Sequence, residues 1–171
     1  EETDGIGNAC VAIRFPGQGL ANIGLVVIGG HQVEFFDRGL VGRVTAVGPN
    51  SAQVLLLIDP ASAVNAIIQT SRATGIVRGN IDGTLAMDRI PPNEQVNPGD
   101  IVLTSGLGGN FPDKIVIGQV TEVEQRDQDM FQVARIRPTV DFGKLATMLI
   151  NTSFEPIDFE AEILRLQEEN N

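Results

Sequence analysis

Two glycine-punctuated runs do most to limit what this chain can become. Gly39-Leu40-Val41-Gly42-Arg43-Val44 is the first, and Thr104-Ser105-Gly106-Leu107-Gly108-Gly109-Asn110-Phe111-Pro112 is the second. Each joins a β-branched segment to a glycine-rich turn. Glycine alone reaches positive φ freely and lets backbones approach closely, so such runs punctuate strands rather than helices. Neither run holds a titratable nucleophile beside a base. They describe a built surface, and the function has to be sought in binding or assembly.

The surrounding composition agrees. A chain of 171 residues with 42% hydrophobic content can bury a core, as one domain or as two small lobes sharing it. The apolar volume is Val, Ile, Leu and Ala, with eight Phe and neither Trp nor Tyr, while nineteen Gly and nine Pro imply many turns. This is an all-β style of composition. The net charge of −10 argues against a nucleic-acid or anionic-membrane partner, since phosphates repel an acidic surface.

Cys10 is the one cysteine, so no internal disulfide forms; in its apolar run it packs as a small hydrophobe. No segment approaches the roughly 18–20 apolar residues of a membrane span, and no signal peptide is visible. The chain begins at Glu1 rather than Met, so it is read as a piece of a longer protein whose anchor, if any, lies elsewhere.

Along the chain, residues 1–8 read as a flexible arm. Strands are expected at 9–15, 23–28, 32–36, 39–47 and 53–58, the last a continuous apolar run suited to burial on both faces. Further strands fall at 63–69, 75–79, 84–90, 101–104, 115–124, 131–138 and 146–150. Gly118 marks a bulge or bend. Residues 91–100 form a structured loop, 125–129 a turn, and 141–145 a helical turn. Strands recur about every ten residues without long helical patterns, which favours an antiparallel sandwich or barrel. The period changes in the tail. Asp158 suits a helix N-cap, and Phe159, Ile163 and Leu166 fall on one stripe, so 153–171 reads as a short C-terminal helix.

His31, Asp59 and Ser105 follow the order of a double-barrel serine peptidase, with glycines after the serine to supply oxyanion donors. The only histidine is selected by that scheme rather than found by it, and Pro60 makes Asp59 a strand terminator. One His and one Cys cannot build a zinc site, and Asp127 and Asp129 lack a calcium loop around them. Gly106-Leu107-Gly108-Gly109 is followed by a strand instead of the helix a phosphate cradle requires. No catalytic or metal residues and no cofactor are therefore assigned. Asn151-Thr152-Ser153 fits a glycosylation sequon. Phe35-Phe36 must point to opposite faces of a strand, so one of them faces either water or a partner.

Read in order, several segments resemble one known family. They are Gly39-Leu40-Val41-Gly42-Arg43-Val44, then Ser51 with Val54-Leu55-Leu56-Leu57-Ile58-Asp59-Pro60-Ala61-Ser62-Ala63-Val64, then Arg72-Ala73-Thr74-Gly75-Ile76-Val77-Arg78-Gly79. Val96 through Gly109 continues the likeness, followed by Phe111-Pro112, Ile117-Gly118-Gln119-Val120 and Val140-Asp141-Phe142-Gly143-Lys144-Leu145. From about residue 36 to 150 this resembles the rod shape-determining protein family MreC.

The resemblance implies a non-catalytic, extracytoplasmic scaffold of the bacterial cell-elongation machinery. It implies two lobes of six-stranded β-barrel type, shaped like chymotrypsin-like barrels without their chemistry. The central lobe is expected at about 46–130, and the other at about 9–45 plus 131–152. Implied partners are a class B penicillin-binding protein, the MreD, RodA and MreB complex, and further copies of the chain as a dimer or filament. An N-terminal membrane helix, absent from this chain, is implied as the anchor. The run 29–32 looks shortened against the family's first lobe, and 164–170 resembles a coiled-coil register placed last. On this reading Gly39, Gly42, Gly106, Gly108 and Gly109 fix turns, and Asp59 and Ser62 order the loop after the buried strand. Leu40, Val41, Arg43, Thr104, Ser105, Leu107 and Pro112 complete the structural motifs. Phe35, Phe36 and Phe111 are the candidate partner surface. A β-barrel hydrolase and a ligand-binding β domain are the rival readings.

Overall fold

Among the described residues, eleven strands arise where β-branched and aliphatic residues alternate between Gly, Pro and Asp breaks. The computed structural model describes residues 9–11, 26–30, 39–47, 52–124, 130–144 and 147–151. The strands are β1 Ala9–Val11, β2 Val26–Gly30, β3 Gly39–Val47, β4 Ala52–Leu56, β5 Ala63–Ile68 and β6 Thr74–Gly79. They continue with β7 Leu85–Ile90, β8 Ile101–Ser105, β9 Asp113–Glu124, β10 Gln132–Pro138 and β11 Thr147–Asn151. A 3-10 turn, Phe142–Lys144, precedes β11.

All pairings among these strands are antiparallel. Six strands close into a barrel in the order β10-β7-β6-β5-β8-β9, and five form a second sheet in the order β1-β4-β3-β2-β11. The described residues are thus all-β, as expected. The division into lobes differs from the expected one. Ala52–Leu56 pairs with β3 in the second sheet, not in the central lobe, and Gln132–Pro138 closes the barrel between β7 and β9. The reason is closure: β7 and β9 are the free edges of the sheet β7-β6-β5-β8-β9, and β10 pairs in register with both. The expected arm 1–8 and helical tail 153–171 lie outside the described residues.

Inward positions alternate with outward ones along each strand, as a barrel demands. Val64, Ala66 and Ile68 of β5, Leu85, Met87 and Ile90 of β7, and Ala134 and Ile136 of β10 all point into the core. The core continues through Leu40, Val41, Leu56, Leu57, Ile58 and Val140 without a break. The run 53–58 is less buried than expected. Gln53 is exposed and Leu55 half-buried, so β4 has one covered face, and Leu57 and Ile58 are buried beyond its end.

Glycines place the two sheets against each other. The Leu57 amide donates to the Val41 carbonyl at 2.7 Å. A Cβ on Gly79 would stand 2.2 Å from the Ile58 carbonyl, and one on Gly39 would stand 2.8 Å from the Val140 side chain. Inside the second sheet, Gly42 of β3 lies against Leu55 of β4, where a Cβ would stand 2.1 Å from its carbonyl oxygen. Gly39 and Gly42 therefore lie within strand β3 and serve close approach, not turn formation. Bulges bend the barrel wall where Arg89 and Lys114 take positive φ. At Gly118 the expected bend is present: register shifts flank it, and a Cβ would lie 2.2 Å from the Arg137 carbonyl oxygen.

Candidate docking surfaces

Two loops at one end of the barrel are held by side chains reaching back to the backbone. After β4, the Asp59 carboxylate accepts the Ala61 amide at 2.7 Å, and the Ser62 amide donates to the Asp59 carbonyl at 2.8 Å. Both residues are buried. Aspartate followed by proline is suited to such a turn, because the short carboxylate replaces a backbone acceptor. After β8, the Ser105 hydroxyl accepts the Leu107 amide at 3.2 Å, and Asn65 Nδ2 donates to the Leu107 carbonyl at 2.9 Å. Gly106, Gly108 and Gly109 all have positive φ. Thr104, fully buried, donates to the Pro112 carbonyl at 2.6 Å and accepts the Ile115 amide at 2.9 Å. It ties the two ends of the loop together.

These bonds occupy the groups that a peptidase reading requires. Asp59 and Ser105 are engaged with neighbouring amides, and His31 lies outside the described residues. No group of three metal-ligating residues forms among the described residues. No helix among them is long and apolar enough to cross a membrane.

Phe111 is not a partner surface. It is 6% exposed and belongs to the core. Phe35 and Phe36 lie outside the described residues. Leu40 and Val41 are fully buried, whereas Arg43 is exposed. Large apolar side chains do stand in water at Ile81, Leu107, Met130 and Phe131.

The barrel's outside is divided into two walls that sequence reading did not separate. On β5, β8 and β9, register places Ile67 opposite Leu103 and Leu103 opposite Val116. All three are half-buried, as are Ile76 and Ile101 beside them. The available signal was that alternate positions in 63–68 and 101–105 are apolar on both faces.

The opposite wall is ionic. Arg135 on β10 donates from Nε to Glu124 Oε1 at 2.7 Å and lies 3.7 Å from Glu122. Arg137 meets Gln119 at 3.2 Å, and Arg78 meets Asp88 Oδ2 at 3.3 Å. The hydrogen bond that Arg135 donates to Glu124, then the charge of Glu124 and that of Glu122, raises the Arg135 guanidinium above its ordinary value. At the β6–β7 hairpin the Asp82 carboxylate accepts the Thr84 hydroxyl at 2.6 Å and the Thr84 amide at 3.0 Å. The Thr84 hydroxyl first, and then its amide, hold the Asp82 carboxyl below the usual carboxylate range.

The family described as rod shape-determining protein MreC, barrel core, matches residues 24–152. The cell shape-determining protein MreC of Escherichia coli (strain K12) is 32% identical over 115 residues, 67% of this chain and 31% of that protein. The chain spans roughly a third of the length of the curated relatives it matches first. Among solved structures, MreC from Listeria monocytogenes superposes with a TM-score of 0.67 at 31% identity, covering 81% of this chain and 66% of that one. The complex of penicillin-binding protein PBP2 and MreC from Helicobacter pylori gives a TM-score of 0.65 at 20% identity, covering 84% and 87%, a likeness of fold. With three quarters of its length matched and the closed barrel in place, the chain belongs to the MreC family of rod shape-determining proteins, which are structural cell-shape proteins and not enzymes.

Proposed function

We propose that this domain is a scaffold of the bacterial cell-elongation machinery. It acts on the extracytoplasmic side of the membrane, tethered there by a membrane helix. It self-associates and holds a class B penicillin-binding protein together with MreD, RodA and MreB. The observation that carries the reading is family membership across residues 24–152. Support for the enzyme partner comes from a protein of the same fold solved with PBP2. Rigid loops and a preformed barrel suit such a role, because a surface ordered before binding loses little entropy on docking. Phe35 and Phe36 are the proposed partner contacts. The test is titration of this chain with the extracytoplasmic part of a class B penicillin-binding protein, followed by calorimetry. Saturable binding is expected, weakened at least tenfold by Phe35→Ala or Phe36→Ala while melting stays nearly unchanged. Absence of heat at high micromolar concentration sinks the proposal, and collapse of melting makes the Phe a core residue.

A further inference from the structure

We infer that the Asp82–Gly83 bond at the tip of the β6–β7 hairpin is a latent site of backbone isomerisation, and that Thr84 keeps it closed. The inference stands apart from the scaffold reading. Asp82 is the aspartate followed by glycine among the described residues; the others precede residues that carry a side chain. Glycine has no Cβ and leaves its own amide nitrogen unshielded. The tip is also open to water. Ile81 and Asp82 are exposed, and a Cβ on Gly83 would meet nothing within 4 Å.

The reaction balances with water alone. The Gly83 amide nitrogen bonds to Asp82 Cγ. The nitrogen's proton and the carboxyl hydroxyl leave as water, and a cyclic imide remains. Water then adds to one imide carbonyl and breaks its bond to nitrogen. Opening at the side-chain carbonyl restores aspartate, whereas opening at the main-chain carbonyl routes the backbone through the former side chain. Nothing is oxidised or reduced, and the mass is unchanged. The first step needs a neutral carboxyl, because a carboxylate has no hydroxyl to lose, and it needs a nitrogen free to attack.

The hairpin withholds both. The Gly83 amide donates to the Asn80 carbonyl at 2.9 Å. Asp82 Oδ1 accepts the Thr84 hydroxyl at 2.6 Å and the Thr84 amide at 3.0 Å, bonds that favour the charged carboxylate. Asn80 Nδ2 donates to the same hydroxyl at 3.0 Å, which leaves the hydroxyl proton for Asp82. The carboxylate is thereby tethered to the residue beyond Gly83 instead of turning onto the Gly83 nitrogen. An isomerised bond would lengthen the backbone between Asn80 and Thr84, whose amide and carbonyl pair at 2.9 Å. Leu85 follows directly and pairs with both Gly79 and Ile136, so the damage would reach the seam where β7 meets β10.

The test incubates the full folded chain at neutral pH, below its melting temperature, and then digests it with trypsin. Residues 79–89 come off as one peptide, which separates this bond from Asp4–Gly5. Electron-transfer fragmentation of that peptide measures isoaspartate at Asp82, and the same peptide made synthetically is the unguarded reference. The folded chain should isomerise about tenfold or more slowly than the free peptide, since reaction waits on local opening. Thr84→Val should speed it about threefold or more by removing the donor that favours the anion. Melting should not change, because Thr84 is exposed. Thr84→Ser keeps the hydroxyl and should stay slow. If Thr84→Val melts early, Asn80→Ala takes its place, because it releases the same hydroxyl and should also raise the rate. A folded chain as fast as the peptide overturns the inference. So does a substituted chain no faster than the unmodified one, and so does Thr84→Ser reacting as fast as Thr84→Val.

Discussion

The two walls of this barrel share strands, a closed hydrogen-bond network and one interior, yet their outward residues follow opposite rules. Around β10, Arg135 forms exposed ion pairs with Glu122 and Glu124 and Arg137 donates to the Gln119 amide oxygen, with Arg78 and Asp88 paired across β6 and β7. Around β8, the same outward positions are Ile67, Leu103 and Val116. Closure explains why both are permitted. Interior packing is satisfied by the inward set alone, so the outward set is free to answer to whatever lies outside. Exposed ion pairs contribute little to stability, being screened and costly in side-chain entropy. Their effect is to keep that wall in water. The outward residues of the other wall are aliphatic and half-buried, with no ion pair among them.

The largest expected effect removes the frame on which the comparison depends. β9 carries both walls, pairing with β8 along one part and β10 along another, and Gly118 is paired to both Val102 and Pro138. Gly118→Ala places a Cβ 2.2 Å from a backbone carbonyl oxygen that cannot swing away. A loss of about 3 kcal/mol or more is expected, since strands must separate to admit it. Urea denaturation measures it, and a loss below about 1 kcal/mol would mean that the seam is looser than its register implies.

Sequence patterns anticipated this frame unevenly, and the reasons are physical. Strand positions from 63 to 138 were legible because alternation and turn residues are local signals. The Asp59 turn and the positive φ of Gly106, Gly108 and Gly109 were legible for the same reason. Partnership was not. Whether Ala52–Leu56 pairs into the barrel or the second sheet depends on contacts distant in sequence, and so does the closing role of β10. Gly39 and Gly42 sit in a run that reads like a turn, but their need for smallness comes from Val140 and Leu55 pressing on them. Phe111 next to Pro112 looked like an exposed loop aromatic because nothing local says the loop folds back over the core. The two walls were invisible as walls, since each combines residues from several strands.

A middle-sized effect separates inside from outside on one strand. Thr104 and Leu103 are neighbours on β8 and face opposite ways. Thr104→Val keeps the shape but strips the buried hydroxyl, leaving the Ile115 amide and the Pro112 carbonyl without their partner. A cost of about 1–3 kcal/mol is expected for such orphaned groups. Exchange at residues 106–112 should accelerate with it, and Thr104→Ser should restore both. If Thr104→Val is neutral, the loop is held by Asn65 and Ser105 alone.

The smallest effect is confined to the ionic side, at the hairpin tip. Asp82 accepts two bonds from Thr84, hydroxyl first and amide second, and the folded state therefore holds its carboxyl below its unfolded value. A group depressed in this way contributes stability above the unfolded carboxylate range, and that contribution disappears as pH falls through the folded value. The carboxylate is fully solvent-exposed, so the consequence is local. Global melting should ignore it, while the Thr84 amide loses its protection and shifts its resonance as acid is added. Asp82→Asn should abolish that titration without disturbing Arg135, whose partners Glu124 and Glu122 lie nearer. A midpoint at or above the ordinary aspartate value would mean the hairpin does not favour the charged form. The ionic wall would then not extend to this turn.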